Sequence, residues 1–144
     1  MQVSEVMSAH VKLASPEDTL QAIAQSMTEL DAGVLPIGED GRLVGMITDR
    51  DIVVRAVCKG LDPHSTTARE VMSAEIHYCY EDDEVEEVAQ NMGDWRVRRL
   101  PVIDANKRLV GIVSLGDISQ NAAAEYSGAA LRDISRRDHS QTGA

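Results

Sequence analysis

The chain has 144 residues, 43% of them hydrophobic, with no Phe, one Trp and three Tyr, and a formal charge of −10. That length suits one compact domain or two small lobes sharing a core. The acidic balance argues against a nucleic-acid or anionic-membrane surface, which needs a basic face, and the scarce aromatics remove the stacking platforms of single-strand binders. No apolar run approaches the roughly 20 residues of a membrane span. The N-terminus lacks the basic flank and apolar stretch of a secretory signal. Cys58 and Cys79 stand alone, as in a reducing compartment, so the protein is expected to be soluble and cytoplasmic.

Val11-Lys12-Leu13-Ala14 reads as a short strand. Ser15-Pro16-Glu17-Asp18 then supplies a cap, a proline at the first helical position and early acidic residues. Leu20, Ile23, Ala24, Met27 and Leu30 follow at helical spacing, and Gly33 ends the helix. Val34-Leu35-Pro36-Ile37 is extended, the Glu39-Asp40-Gly41 turn follows, and Leu43 to Ile47 returns as the second strand of a hairpin. A helix from Asp49 to Lys59 closes this part, with Gly60 and Pro63 beyond it. The order then repeats: a strand near Ile76 to Tyr80, an acidic cap at Glu81-Asp82-Asp83 and a helix carrying Val85, Val88, Ala89 and Met92. Strands follow near Leu100 to Ile103 and Leu109 to Val113, with a last helix from near Gly116. The tail from Ser127 has one short helical stretch, Ala129 to Arg136, before a polar end expected to fray.

The repetition is one of residues as well as of elements. Val3-Ser4-Glu5-Val6-Met7-Ser8 returns 65 positions later as Ala68-Arg69-Glu70-Val71-Met72-Ser73, and Leu35-Pro36-Ile37 as Leu100-Pro101-Val102. After a one-residue insertion in the second turn, Arg42-Leu43-Val44-Gly45 returns as Arg108-Leu109-Val110-Gly111. An internal repeat sets the architecture. Two copies are too few for a solenoid, so two halves packed face to face about a pseudo-twofold axis are expected, with paired sites in the cleft between them. The repeats span 1–62 and 63–126, leaving 127–144 as a polar C-terminal tail.

Each copy carries the same heptad: Gly45-Met46-Ile47-Thr48-Asp49-Arg50-Asp51 and Gly111-Ile112-Val113-Ser114-Leu115-Gly116-Asp117. Two such heptads, each at one distance from a Leu-Pro strand and a Val-Met-Ser opening, resemble a tandem cystathionine-β-synthase (CBS) domain pair, or Bateman module. The likeness covers residues 1 to about 126 and is greatest to small stand-alone bacterial members. It implies an α/β fold of two β-α-β-β-α repeats packed through their sheets. It also implies a homodimer.

The residue types suit a nucleotide. A strand ending in Thr or Ser presents a hydroxyl, and an Asp in the first helical turn is favoured there by the dipole. An ionised carboxylate accepts two hydrogen bonds, matching a ribose diol, and a helix N-terminus offers N–H groups to phosphate. By the resemblance, Asp51 and Asp117 are assigned to ribose, and Thr48 and Ser114 to ribose or phosphate. Arg98 and Arg99, with Arg50 and Lys12 as weaker candidates, are assigned to phosphate. Leu13, Ala14, Leu35, Tyr80 and Leu100 are assigned to adenine. The first-repeat counterparts of Arg98 and Arg99 are Gly33 and Val34, so the two sites are expected to be unequal.

Each assignment has a structural rival. Asp51 and Asp117 also serve as helix caps, and Arg98-Arg99 as a solvated pair or as ion-pair partners of Glu81-Asp82-Asp83-Glu84. His10, His64, His77 and His139 show no metal-ligand spacing, so neither metal nor cofactor is expected. No nucleophile stands beside a base, and no glycine-rich phosphate loop is present, so the chain does not read as an enzyme. The leading expectation is a regulatory module that binds AMP, ADP or ATP and signals to a separate effector protein. The alternatives are a ligand-independent scaffold dimer and a binder of another adenosyl ligand, S-adenosylmethionine or NADH.

Overall fold

The computed structural model describes residues 1–9, 11–121 and 124–135. Its elements run α1 (Leu20–Leu30), β1 (Val34–Glu39), β2 (Arg42–Thr48), α2 (Asp49–Ile52), α3 (Ala68–Val71), β3 (Cys79–Tyr80), α4 (Val85–Trp95), β4 (Arg99–Ile103), β5 (Leu109–Ser114), α5 (Leu115–Asn121) and α6 (Ala124–Ser135). A 3-10 turn, Val3–Glu5, precedes them, and α2 continues as a π-helix over Val53–Val57. The mixed helix–strand order within each repeat is the α/β arrangement read from the sequence.

The chain forms two compact units that cross the repeat boundaries. One, here the N-unit, comprises Lys12–Ile76 with Asn106–Leu109; the other, the C-unit, comprises Met1–Val11, His77–Ala105 and the residues from Val110 onward. The opening segment of each repeat therefore belongs to the unit built by the other repeat. The backbone bonds that fix it are equivalent. Val3 N–H donates to Asp83 O (2.9 Å) and Ser4 N–H to Glu81 O (3.0 Å). Ala68 N–H donates to Asp18 O (2.8 Å) and Arg69 N–H to Pro16 O (2.9 Å). Further along, Ser8 bridges Ile112 in the C-unit and Ser73 bridges Met46 in the N-unit.

These openings explain the glycine of each heptad. A Cβ on Gly45 would stand 2.9 Å from Ser73 O, and one on Gly111 would stand 2.7 Å from Ser8 O, so only hydrogen lets the strands close.

In the N-unit β1 and β2 pair antiparallel from Val34↔Thr48 to Glu39↔Arg42, with a bulge between Ile37 and Gly38. Their turn places Asp40 and Gly41 at φ 55° and 78°, the left-handed geometry that two-residue hairpins favour. In the C-unit β4 lies between β3 and β5, with β3 parallel to β4. The expected first strand, Val11 to Ala14, shrinks to a single parallel bridge, Ala14↔Ile37. That bridge is the repeat-mate of Cys79↔Val102, so the pattern survives even where the strand does not.

Helix α1 begins later than the sequence predicts. Thr19, not Ser15, caps it by accepting from Ala22 N–H at 3.2 Å. Ser15 to Asp18 instead close on themselves, the Asp18 carboxylate accepting Ser15 N–H at 2.9 Å, and so turn carbonyls outward to hold α3. Glu81 to Asp83 do the same for the chain start, with Asp83 accepting Tyr80 N–H at 2.9 Å, so α4 starts at Val85. Asp31 and Arg96, both left-handed, end α1 and α4.

Each unit has its own core. Leu20, Ile23, Met27, Leu35, Ile37 and Ile47 anchor the N-unit; Val88, Met92, Leu100, Val102, Val113 and Ile118 anchor the C-unit. Each such side chain contributes about 1.5–3 kcal/mol on burial. Ala24 and Leu30, expected in the α1 stripe, are exposed. The short helix expected over Ala129 to Arg136 starts earlier, running from Ala124 to Ser135, and packs Ala130 and Ile134 into the C-unit core. Arg136 and the residues after it, with His10 and His139, lie outside the described residues.

Candidate functional site

The sequence-assigned residues divide between the units, one set to each. Lys12, Leu13, Ala14, Leu35, Thr48, Arg50 and Asp51 belong to the N-unit; Tyr80, Arg98, Arg99, Leu100, Ser114 and Asp117 belong to the C-unit.

At the strand–helix junctions the two heptads build the same capping box. Thr48 N–H donates to Asp51 Oδ2 (2.9 Å) and Asp51 N–H to Thr48 Oγ1 (3.0 Å). Ser114 N–H donates to Asp117 Oδ2 (2.9 Å) and Asp117 N–H to Ser114 Oγ (3.0 Å). Each Asp thus spends one oxygen on its own helix and keeps Oδ1. The Asp51 Oδ1 has Arg55 Nε at 3.9 Å. At the place of Arg55 the second repeat has Asn121, which donates to the Asp117 main-chain carbonyl at 2.8 Å.

The junctions differ in what surrounds the box. Leu115 N–H donates to Arg98 O at 2.8 Å, and Asp49 N–H donates to Gly33 O at 2.9 Å, so the backbones match. The side chains invert the charge. In the C-unit Arg98 and Arg99 stand beside Leu115. In the N-unit the carboxylate of Asp49 occupies that ground, 2.9 Å from where a Gly33 Cβ would be. Asp49 Oδ1 also accepts Arg50 N–H at 2.8 Å, closing the first helical turn to an anion. Gly116, the repeat-mate of Arg50, follows a leucine and has no such neighbouring carboxylate.

A cavity of about 470 Å³ opens in the C-unit, lined by Arg98, Arg99, Ser114, Leu115, Gly116, Ser119, Gly128 and Leu131. The volume lies within the roughly 300–1,000 Å³ of small-molecule sites. Two guanidinium groups and a hydroxyl share this lining with apolar Leu115 and Leu131, a set suited to an anionic head on an apolar body. Among the described residues neither arginine forms an ion pair with Glu81 to Glu84, and both are exposed. Three sequence-assigned residues meet here: Arg98, Arg99 and Ser114. Asp117 does not line the cavity.

The adenine assignments fare unevenly. Ala14, Leu35 and Leu100 are 4%, 2% and 1% exposed, core residues with no face left for a base. The sequence could not separate strand residues facing the core from those at the edge. Leu13 is half-buried and lies over Gly38. Tyr80 is exposed and sits edge-on to Tyr78, ring centroids 5.8 Å apart; the hydrogen bond with Tyr78 raises its hydroxyl pKa above the usual value. Lys12 and Arg50 are exposed.

Sequence reading missed Leu115, Gly116 and Ser119 as cavity residues, although the second heptad contains the first two, and missed Asp49 as the carboxylate that fills the ground beside Gly33. Gly128 and Leu131 carry no signal, because the repeat ends before them. Among the described residues no three His, Cys, Asp or Glu side chains are grouped to hold a metal. No described helix is long and apolar enough to cross a membrane.

A sequence profile of the CBS domain matches residues 3–57 and again 68–123. Hypoxic response protein 1 of Mycobacterium tuberculosis (strain ATCC 25618 / H37Rv) is 44% identical over 118 residues, 81% of this chain and 82% of that protein. The crystal structure of Hypoxic Response Protein I with two coordinated zinc ions superposes with a TM-score of 0.78 at 42% identity, covering 85% of this chain and 100% of that one. The CBS domain pair of protein MJ0100, solved in complex with 5'-methylthioadenosine and S-adenosyl-L-methionine, superposes with a TM-score of 0.72 at 30% identity. It covers 83% of this chain and 94% of that one.

Proposed function

This chain belongs to the CBS domain family, and from that premise we propose that it is a non-catalytic regulatory module that binds an adenine nucleotide, AMP before ADP or ATP. In this reading it works in the cytoplasm as a homodimer and signals to a separate effector protein. The observation that carries the ligand class is the C-unit cavity, where Arg98, Arg99, Ser114 and Gly116 converge. Two guanidinium groups match a phosphate monoester, each charge-assisted hydrogen bond contributing about 1.5–3 kcal/mol. Asp117 Oδ1 remains to accept from ribose. Signalling requires the nucleotide to bind two states of the protein with different affinity.

A second reading is favoured at the other junction. Asp49 and Asp51 beside uncharged Gly33 and Val34 oppose phosphate and suit a cationic adenosyl ligand, and the MJ0100 pair was solved with S-adenosyl-L-methionine.

Calorimetric titration with AMP, ATP, NADH, S-adenosylmethionine and 5'-methylthioadenosine tests both readings. The Arg98→Ala/Arg99→Ala variant is expected to weaken AMP at least about tenfold and leave 5'-methylthioadenosine, which has no phosphate, unchanged. The Asp51→Ala/Asp117→Ala variant is expected to weaken every adenosyl ligand. No heat and no ligand-dependent melting shift with any of them would instead support a ligand-independent scaffold.

A further inference from the structure

A glycine inside a helix is less stable there than alanine, so its presence needs a turn, a tight contact or a ligand to explain it. Among the described glycines nearly all have such a reason within the chain. Each has either a left-handed φ, as Gly41 and Gly60 do, or a neighbour inside 3.0 Å of where a Cβ would stand, as at Gly93. Gly116 of α5 and Gly128 of α6 have neither. A Cβ on Gly116 would rest 3.6 Å from Ser114 Oγ, an ordinary contact, and one on Gly128 would meet no described atom within 4 Å. Both line the C-unit cavity. The fold does not explain these two, whereas a ligand does, because a bare backbone lets it approach closely.

The cavity has a polar end and an apolar wall. Leu115 N–H donates to Arg98 O at 2.8 Å, which sets Arg98 beside the start of α5, where Ser114 and Gly116 also lie. The lining from α6 is Gly128 and Leu131, about one turn apart and without a polar side chain. Leu131 is 46% exposed and lines the cavity, whereas Ala130 and Ile134 of the same helix go to the C-unit core. Ala130 seats α6 on α4, its Cα 3.3 Å from where a Gly93 Cβ would stand. This wall lies beyond the CBS match, which ends at residue 123. In the N-unit the matching stretch, 58–69, is drawn to the start of α1 instead, Leu20 N–H donating to Thr66 O at 2.9 Å.

We infer that Gly128 and Leu131 are specificity-determining residues of the nucleotide site, with α6 as the wall for the base. Gly128 gives the base room and Leu131 gives it an apolar face, while Gly116 gives room to the phosphate beside Arg98, Arg99 and Ser114. The inference rests on the nucleotide reading above and extends that site to a helix outside the repeat. A purine, flat and apolar on its faces, packs well against helix backbone and an isobutyl group.

The test is calorimetric titration of the full chain with AMP and with ATP, together with thermal melting of the nucleotide-free protein. Gly128→Leu is expected to weaken the nucleotide about tenfold or more by filling its space. Leu131→Ala is expected to weaken it about fivefold by removing apolar cover. Without nucleotide, Gly128→Leu should melt about 2–4 °C higher, since helix propensity improves and no described neighbour is crowded. A glycine that served the fold would give the reverse shift, which separates a site role from a structural one. Gly128→Ala, a smaller change, should move both readings the same way and replaces the leucine variant if that one misfolds. Ala129→Leu adds bulk at an exposed position outside this cavity and should bind as wild type does. The inference is overturned, with the nucleotide reading intact, by an affinity unchanged in Gly128→Leu or Leu131→Ala. A lower melting temperature in Gly128→Ala, or weakened binding in Ala129→Leu, overturns it equally. Wild-type protein that takes up neither AMP nor ATP overturns both.

Discussion

Asp51 and Asp117 act in the folded chain before any ligand arrives, because each closes a capping box with Thr48 or Ser114. The cap and the binding role are thus compatible at one side chain: one oxygen holds the helix and the other remains. Ser114→Ala removes the acceptor for Asp117 N–H and is expected to cost about 1 kcal/mol. A differential scan should show a melting temperature lower by about 4 °C. The two cysteines separate in the same way. Cys58 is exposed, whereas Cys79 is buried and desolvation pushes its thiol from 9.0 up to about 12. Because the folded value is the higher one, Cys79 contributes stability fully below pH 9, and that contribution is lost as pH rises toward about 12. Urea unfolding of wild type against Cys79→Ala across that window should show wild type losing the greater stability. A thiol reagent at neutral pH should label Cys58 alone in the native protein.

At the scale of elements the heptad glycines matter for packing. Gly45 and Gly111 each sit under a main-chain carbonyl of an opening segment, and a carbonyl in a bridge has little room to move. Gly45→Ala and Gly111→Ala are each expected to destabilise by about 1–3 kcal/mol, read by chemical denaturation. The double variant should lose the sum of the two single losses, since the two contacts lie in different units. Helix α6 shows the same logic at Gly93. A side chain there must push Asp133 and Ala130 away, and the cavity loses Gly128 and Leu131 from its wall as α6 lifts.

The whole molecule carries two matched junctions with opposite charge. Among the described residues the C-unit gathers two arginines and a hydroxyl around an open volume, and the N-unit sets Asp49 in the equivalent ground. AMP titration is therefore expected to reach saturation at one nucleotide per chain. At a hundredfold excess over its dissociation constant, that single site should add about 2.7 kcal/mol to unfolding. Two equivalent sites per chain would contradict the charge argument.

Much of this was legible without coordinates. The doubled Val-Met-Ser, Leu-Pro and Gly-x-x-Thr/Ser-x-x-Asp patterns fixed the repeat, the β-α-β-β-α order and the strand–helix junctions, because these depend on local periodicity and on residues a few positions apart. Gly33-Val34 against Arg98-Arg99 announced unequal sites for the same reason. The opening segments were not legible as exchanged: Val3 and Ala68 reach their partners through backbone bonds to Asp83 and Asp18, and backbone bonds leave no trace in residue type. Nor was it legible that Leu35 and Leu100 face inward, that Asp49 closes the first junction, or that α6 packs onto the C-unit. Those depend on which surfaces meet across long stretches of chain, a matter that packing decides and local pattern does not encode.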